Sequence, residues 1–225
     1  MNIKKVIARL TLPLLLVSGM TVAAESEEFY PSFTGGVSGF EEGLKARKSG
    51  DFKTALEWWI PLAEEGHDEA QYELGKMYRG GDGVSKNLAT AFNFIIASAE
   101  QGNAEAQFWL GAHYHGGIDV PTNYKNAVKW FTKAVKQGHA AAQVSLGILY
   151  KDGHGVLTDY RRAYMWMNLG GFNGEPAANS YKEKLIKKMT PADISKAQEM
   201  SSRCLESNYT DCEDSLLDQF YSIFE

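Results

Sequence analysis

Ala104-Glu105-Ala106-Gln107-Phe108-Trp109-Leu110-Gly111-Ala112-His113-Tyr114 is the stretch that decides the fold, because its skeleton returns at a fixed step. Thirty-six residues earlier stand Ala70, Gln71, Leu74, Gly75 and Tyr78; thirty-six later stand Ala142, Gln143, Leu146, Gly147 and Tyr150. In each copy the Ala, Leu and Tyr fall at i, i+4 and i+8, one stripe of an α-helix. A second helix accompanies each copy. Ala55, Ala91, Ala127 and Ala163 sit near its start, with Trp58, Phe94, Trp130 and Trp166 three residues on. Asp51, Asn87, Asn123 and Asp159 precede it, and such side chains accept hydrogen bonds from the free N–H groups of a first turn. Gly66, Gly102, Gly138 and Gly174 end it, since glycine adopts positive φ without strain. A period of this length marks a stack of supersecondary units.

Outward from that core, the second helix is expected to bury Ala55, Trp58, Trp59 and Leu62. The loops between units are glycine-rich (Gly80-Gly81-Asp82-Gly83, Gly116-Gly117, Gly153-His154-Gly155). Each carries one valine, Val84, Val120 or Val156, expected to plug the apolar gap beneath. The last unit departs from the pattern, with Lys182 and Glu183 in place of Leu and Gly. Its first helix is expected to run on to Met189. Thr190, Pro191 and Asp193 then read as N-cap, first-turn proline and capping-box acid. They predict a closing helix from Pro191 to about Leu205, which gives the stack the polar end it requires. Phe40 to Lys48 supplies a starting helix.

The 225 residues are 44% hydrophobic and 23% charged, enough for one domain with a packed core. Residues 1–24 read as a secretory signal peptide. Lys4, Lys5 and Arg9 form a basic start, Leu10 to Val22 is mostly apolar, and Val22-Ala23-Ala24 offers small residues for cleavage near Ala24. The apolar run is too short to span a bilayer, which takes about 20 residues. Without these residues 20 Lys and Arg face 28 Asp and Glu, a net of −8. An acidic chain lacks the basic face of a nucleic-acid binder. The expected destination is the periplasm or the exterior, where Cys204 and Cys212 favour a disulfide over two free thiols. Residues 25–39 read as a flexible tether. Residues 206–225 read as an acidic, aromatic tail, in which Leu216, Phe220 and Phe224 share one helical face.

The string Ala104-Glu105-Ala106-Gln107, Leu110-Gly111 and Tyr114, with Ala127 and Trp130, resembles the Sel1-like repeat, a relative of the tetratricopeptide repeat. The clearest units are 67–102, 103–138 and 139–174, after a half-unit at 52–66, within a solenoid spanning 40–205. The resemblance implies an all-α, α/α superhelical solenoid of about three full repeats, closed by a C-terminal helix. It also implies an adaptor role, with a protein or peptide partner on the concave face lined by the first helix of each pair. The expected groove residues are Tyr72, Lys76 and Arg79, then Phe108, Ala112 and His115, then Val144, Ile148 and Lys151. They form an apolar row beside a basic one, suited to an extended peptide with apolar and acidic groups.

Catalysis finds little support in the residues. His113 and His115 lie two apart on a helix, about 200° around it, so they do not share a metal easily, and no set of ligands stands at metal spacing. His67 and His139 occupy the same inter-helix turn, a structural position. No nucleophile motif or phosphate loop is present. The expectation is therefore a non-enzymatic scaffold of the cell envelope, with no metal and no cofactor. The alternatives are a small-ligand-binding or β-lactamase-like protein of the cysteine-rich Sel1-like type, or a secreted host-interaction factor. The former is weakened because no cysteine lies inside the repeats.

Overall fold

The computed structural model describes residues 36–212, which are helical throughout apart from turns. They form two compact units, one ending at Gln101 and one beginning at Gly102. The signal-peptide and tail readings fall on residues 1–24 and largely on 213–225, outside the described residues.

The first unit holds α1 (Gly36–Lys48), α2 (Phe52–Glu64), α3 (Asp68–Gly80) and α4 (Leu88–Gln101). The starting helix expected at Phe40 is α1, which opens at Gly36, inside the stretch read as a tether. It packs on α2 as α3 packs on α4, so the front end is a complete pair. Gly43 lies flat against the Trp59 indole, and Trp59 Nε1 donates to the Phe40 carbonyl at 3.2 Å. In the next pair Gly75 faces Ile95, where a Cβ would come within 2.6 Å of Ile95 Cδ1.

The second unit holds α5 (Ala104–Gly116), α6 (Tyr124–Val135), α7 (Ala140–Asp152), α8 (Tyr160–Phe172), α9 (Ala178–Ile186) and α10 (Pro191–Glu206). Its pairs repeat the contact: a Cβ on Gly111 would meet Phe131 at 2.5 Å, and one on Gly147 would meet Met167 and the Ala163 carbonyl at 2.9 Å. The expected caps are in place. Asp51, Asn87, Asn123 and Asp159 each accept from an N–H in the first turn of α2, α4, α6 and α8. Gly66, Gly102, Gly138 and Gly174 all have φ between 77° and 113°.

An amide bridge ties each of the three pairs after α1 and α2. Gln101 Nε2 donates to Gln71 Oε1 at 2.6 Å, Gln137 Nε2 to Gln107 Oε1 at 2.9 Å, and Asn173 Nδ2 to Gln143 Oε1 at 2.9 Å. Gln71 and Gln143 are fully buried, so each bridge satisfies a polar group that would otherwise cost about 1–3 kcal/mol.

Two expectations shift, one by a residue and one by a turn. The core position of the second helix is four residues after the repeated alanine: Trp59, Ile95, Phe131 and Met167 are at most 1% exposed. The position three residues after it is half-buried in Trp58, Phe94 and Trp130, and closed only in Trp166. Helix α9 ends at Ile186, a turn short of Met189. The three loop valines are half-buried, and Val156 packs against the core.

The end of the second unit is built as the sequence predicts. Thr190 Oγ1 accepts from Asp193 N–H at 3.2 Å, Asp193 returns the bond to Thr190, and Pro191 opens α10. Cys204, at the end of α10, is joined to Cys212 by a disulfide. The loop between them turns through Asn208 and Tyr209, both at positive φ (50° and 65°). That turn carries the Tyr209 hydroxyl to Asn173, whose Nδ2 donates to it at 2.7 Å.

Phe131→Ala should lower the unfolding free energy by about 3–5 kcal/mol by emptying a packed site. Trp130→Ala, one residue earlier but half-buried, should cost about 1 kcal/mol. Urea denaturation followed by circular dichroism measures both, and equal costs would reject the assignment of the core position. Serine at both Cys204 and Cys212 should remove about 2–3 kcal/mol, the loop-closure contribution of a short disulfide loop; an unchanged denaturation midpoint would show that α10 closes the unit unaided.

Candidate functional site

In the first unit, α3 presents Tyr72, Lys76 and Arg79 along one face, in positions that packing leaves at least partly open. Tyr72 and Lys76 are half-buried and Arg79 is exposed. Lys76 Nζ stands 4.9 Å from the centre of the Tyr72 ring and 2.7 Å from Glu73 Oε1. Glu73 also takes Arg47 of α1 at 3.0 Å and is only 8% exposed. Lys76 is thus held by Glu73, and Arg79 is the exposed cation of this row. Sequence reasoning missed Glu73. Its signal was a charge where the other repeats carry Trp109 and Ser145.

In the second unit, α5 and α7 carry the corresponding residues. Phe108 stacks on His139 at 4.7 Å and tilts against Phe131 at 5.9 Å, leaving part of one face open. Ala112 and Ile148 are half-buried. Val144 departs from the expectation of a groove residue. It is 5% exposed because Gly170 of α8 makes room for it: a Cβ there would sit 2.6 Å from Val144 Cγ2. Lys151 is half-buried and pairs with Asp152 at 3.2 Å. The row offered by this unit is therefore Phe108, Ile148, His115 and Lys151.

His115 is the titrating member. Its ring lies 5.8 Å from Tyr124, which stacks on His154 at 4.2 Å. Burial holds the His115 pKa below the usual histidine value, and the nearby His154 charge adds to this, while Asp152 opposes it. His113 faces elsewhere. It is buried, its ring stacks on Trp109 at 3.3 Å, and its Nδ1–H donates to the Ile118 carbonyl at 2.7 Å. The two histidines of the pair thus serve different neighbours, as their helical spacing requires.

His67 and His139 are helix N-caps: their Nδ1 atoms accept from Ala70 N–H at 3.4 Å and Ala142 N–H at 3.2 Å, the role Asn103 fills at 2.9 Å in the intervening repeat. His67, Asp68 and Glu69 bring ligand-type atoms within 4.8 Å of one another. The histidine nitrogen there already holds the first turn of α3, and acids are at home at a helix N-terminus. No helix among the described residues is long and apolar enough to cross a membrane.

The Sel1 repeat model matches residues 37–67, 68–103, 104–139 and 140–170, more than half of the chain. Among solved structures, a Sel1 repeat protein from Oxalobacter formigenes is 29% identical, with a TM-score of 0.63 over 67% of this chain and 45% of that one. A protective antigen present in uropathogenic Escherichia coli strains, displaying an SLR fold, is 27% identical, with a TM-score of 0.50 over 78% of this chain and 47% of its own. The chain thus spans about half the length of these two. No protein of curated function matches it.

The depressed pKa of His115 fixes the sign of a pH effect. Between the folded and unfolded values the unfolded chain holds a proton that the fold does not, so stability rises with pH through that window. The contribution is complete above the ordinary histidine value of about 6.5 and is lost as pH falls below it. The urea midpoint should drop on acidification through this range, and His115→Gln should flatten that part of the profile. Superimposable profiles would remove His115 as the cause.

Proposed function

The chain belongs to the Sel1 repeat family, and from that premise we propose that it is a non-enzymatic scaffold holding a protein partner of the cell envelope on the first-helix row of its second unit. Sel1 repeat proteins are generally protein-interaction scaffolds, so the coarse role follows from membership; the surface and the compartment are our reading.

One observation carries it. The residues that recur at the 36-residue step are consumed by caps, amide bridges and glycine contacts, while the row positions vary and stay partly open. Phe108 and Ile148 offer apolar contact, and His115 and Lys151 offer donors and positive charge. An extended peptide with apolar and acidic side chains suits that chemistry. In the first unit Tyr72 and Arg79 present the same pair of chemistries. The basic, apolar start at residues 1–24 and the disulfide fit an exported protein.

Charge reversal of Arg79 and Lys151 together, as Arg79→Glu and Lys151→Glu, should abolish capture of the native partner from an envelope fraction while the circular dichroism spectrum is unchanged. Undiminished capture by the folded double variant would reject the rows as the partner surface.

A further inference from the structure

Between Val120 and Lys151 the chain contains five lysines and no Asp or Glu, so a molecule of net −5 holds +5 here and −10 elsewhere. Lys125, Lys129 and Lys133 lie on α6, Lys136 caps it, and all four are exposed. Steps of four, four and three keep them along one edge, about 17 Å long. No carboxylate among the described residues pairs with any of them. The ridge is peculiar to this repeat: the same positions read Lys53, Glu57, Pro61 and Glu64 in α2, and Ala89, Asn93, Ala97 and Glu100 in α4.

Two aromatic side chains border the ridge. Trp130 is half-buried, and Lys133 Nζ stands 4.5 Å from its ring centre. Phe172 ends α8 and is 72% exposed. It stands 36 residues after Lys136, at the same repeat position. Asn173, next along the chain, donates from Nδ2 to the Gly138 carbonyl at 3.2 Å. That bond sets the Phe172 end of α8 beside the Lys136 end of α6.

The choice of cation bears on what such an edge meets. Protein interfaces are depleted in lysine and enriched in arginine, whose planar fork meets a carboxylate in fixed geometry. An ammonium on a flexible stem is a hydrated point charge and answers to charge density instead. Four lysines with no arginine among them suit a diffuse field of negative charge. An anionic bilayer supplies one, and its headgroup layer also takes up tryptophan and phenylalanine side chains.

We propose that the α6 ridge holds the second unit against an anionic lipid surface, its ammonium groups at the lipid phosphates and Phe172 and Trp130 entering the headgroup layer. The ridge lies on a different helix from the α5 and α7 row, and neither proposal depends on the other.

The test is sedimentation of the full chain with vesicles of phosphatidylcholine alone and of an equal mixture of phosphatidylcholine and phosphatidylglycerol. Binding should require the anionic lipid and weaken with added salt, which screens exposed charges. Each lysine near such a surface strengthens binding about fivefold, so Lys129→Gln with Lys133→Gln should weaken it about 25-fold with an unchanged circular dichroism spectrum. Lys53→Gln with Lys196→Gln, also exposed, should leave it unaltered. Phe172→Ser should weaken it severalfold at low and high salt alike. Equal sedimentation of the unaltered chain and the folded ridge variant would overturn the proposal and place any lipid binding outside α6. Equal binding to the two kinds of vesicle would also sink it. Capture of poly-L-glutamate through the ridge, with no sedimentation by either vesicle, would reject the lipid in favour of an acidic polypeptide.

Discussion

The close seat of one side chain against a bare glycine is the contact on which the other features rest. Gly43, Gly75, Gly111 and Gly147 meet Trp59, Ile95, Phe131 and Met167. A methyl group at any of these glycines has no room, so each pair approaches at a distance that larger residues forbid. Only at that distance does the amide of Gln101, Gln137 or Asn173 reach its buried glutamine. The apolar contact thus sets the spacing and the amide bridge sets the register. Each alone leaves freedom that the other removes: dispersion and burial have no direction, whereas an unpaired buried amide is costly.

This division explains what was legible in the sequence. The period, caps, glycine turns and closing helix are local or strictly recurrent, and they stand where the residues place them. The core register of the second helix was ambiguous because Trp58 and Trp59 are adjacent aromatics. Periodicity cannot rank two neighbours, and the glycine opposite Trp59 decides between them. Val144 was read as a groove residue because the room for it is made 26 residues away, by Gly170. Glu73 and Tyr209 escaped for the same reason. One is held by Arg47 of another helix, and the other reaches Asn173 through a turn in which neither Asn208 nor Tyr209 is a glycine.

Helix α8 shows how the second unit ends without exposing its core. Arg162, Ala163, Tyr164, Met165, Trp166 and Met167 are consecutive and all buried, a pattern no one-sided helix produces. Both of its sides are covered, by α7 on one and by α9 and α10 on the others. In α6 the positions matching Met165 and Leu169 are Lys129 and Lys133. Helices of one repeat family therefore differ in what covers them, and the outer edge of the second helix reports that cover more directly than its inner edge, which is constant.

By that reasoning Asn173 is informative. It stands where the earlier repeats have Gln101 and Gln137, one methylene longer. Its amide still reaches Gln143, and it also bonds the Gly138 carbonyl at 3.2 Å and the Tyr209 hydroxyl. A shorter side chain draws that amide closer to the backbone and leaves space for the tyrosine ring of the disulfide loop. The terminal repeat has exchanged reach for a third partner, so the loop closed by Cys204 and Cys212 is joined to the repeat by the same polar chemistry that registers the two preceding pairs.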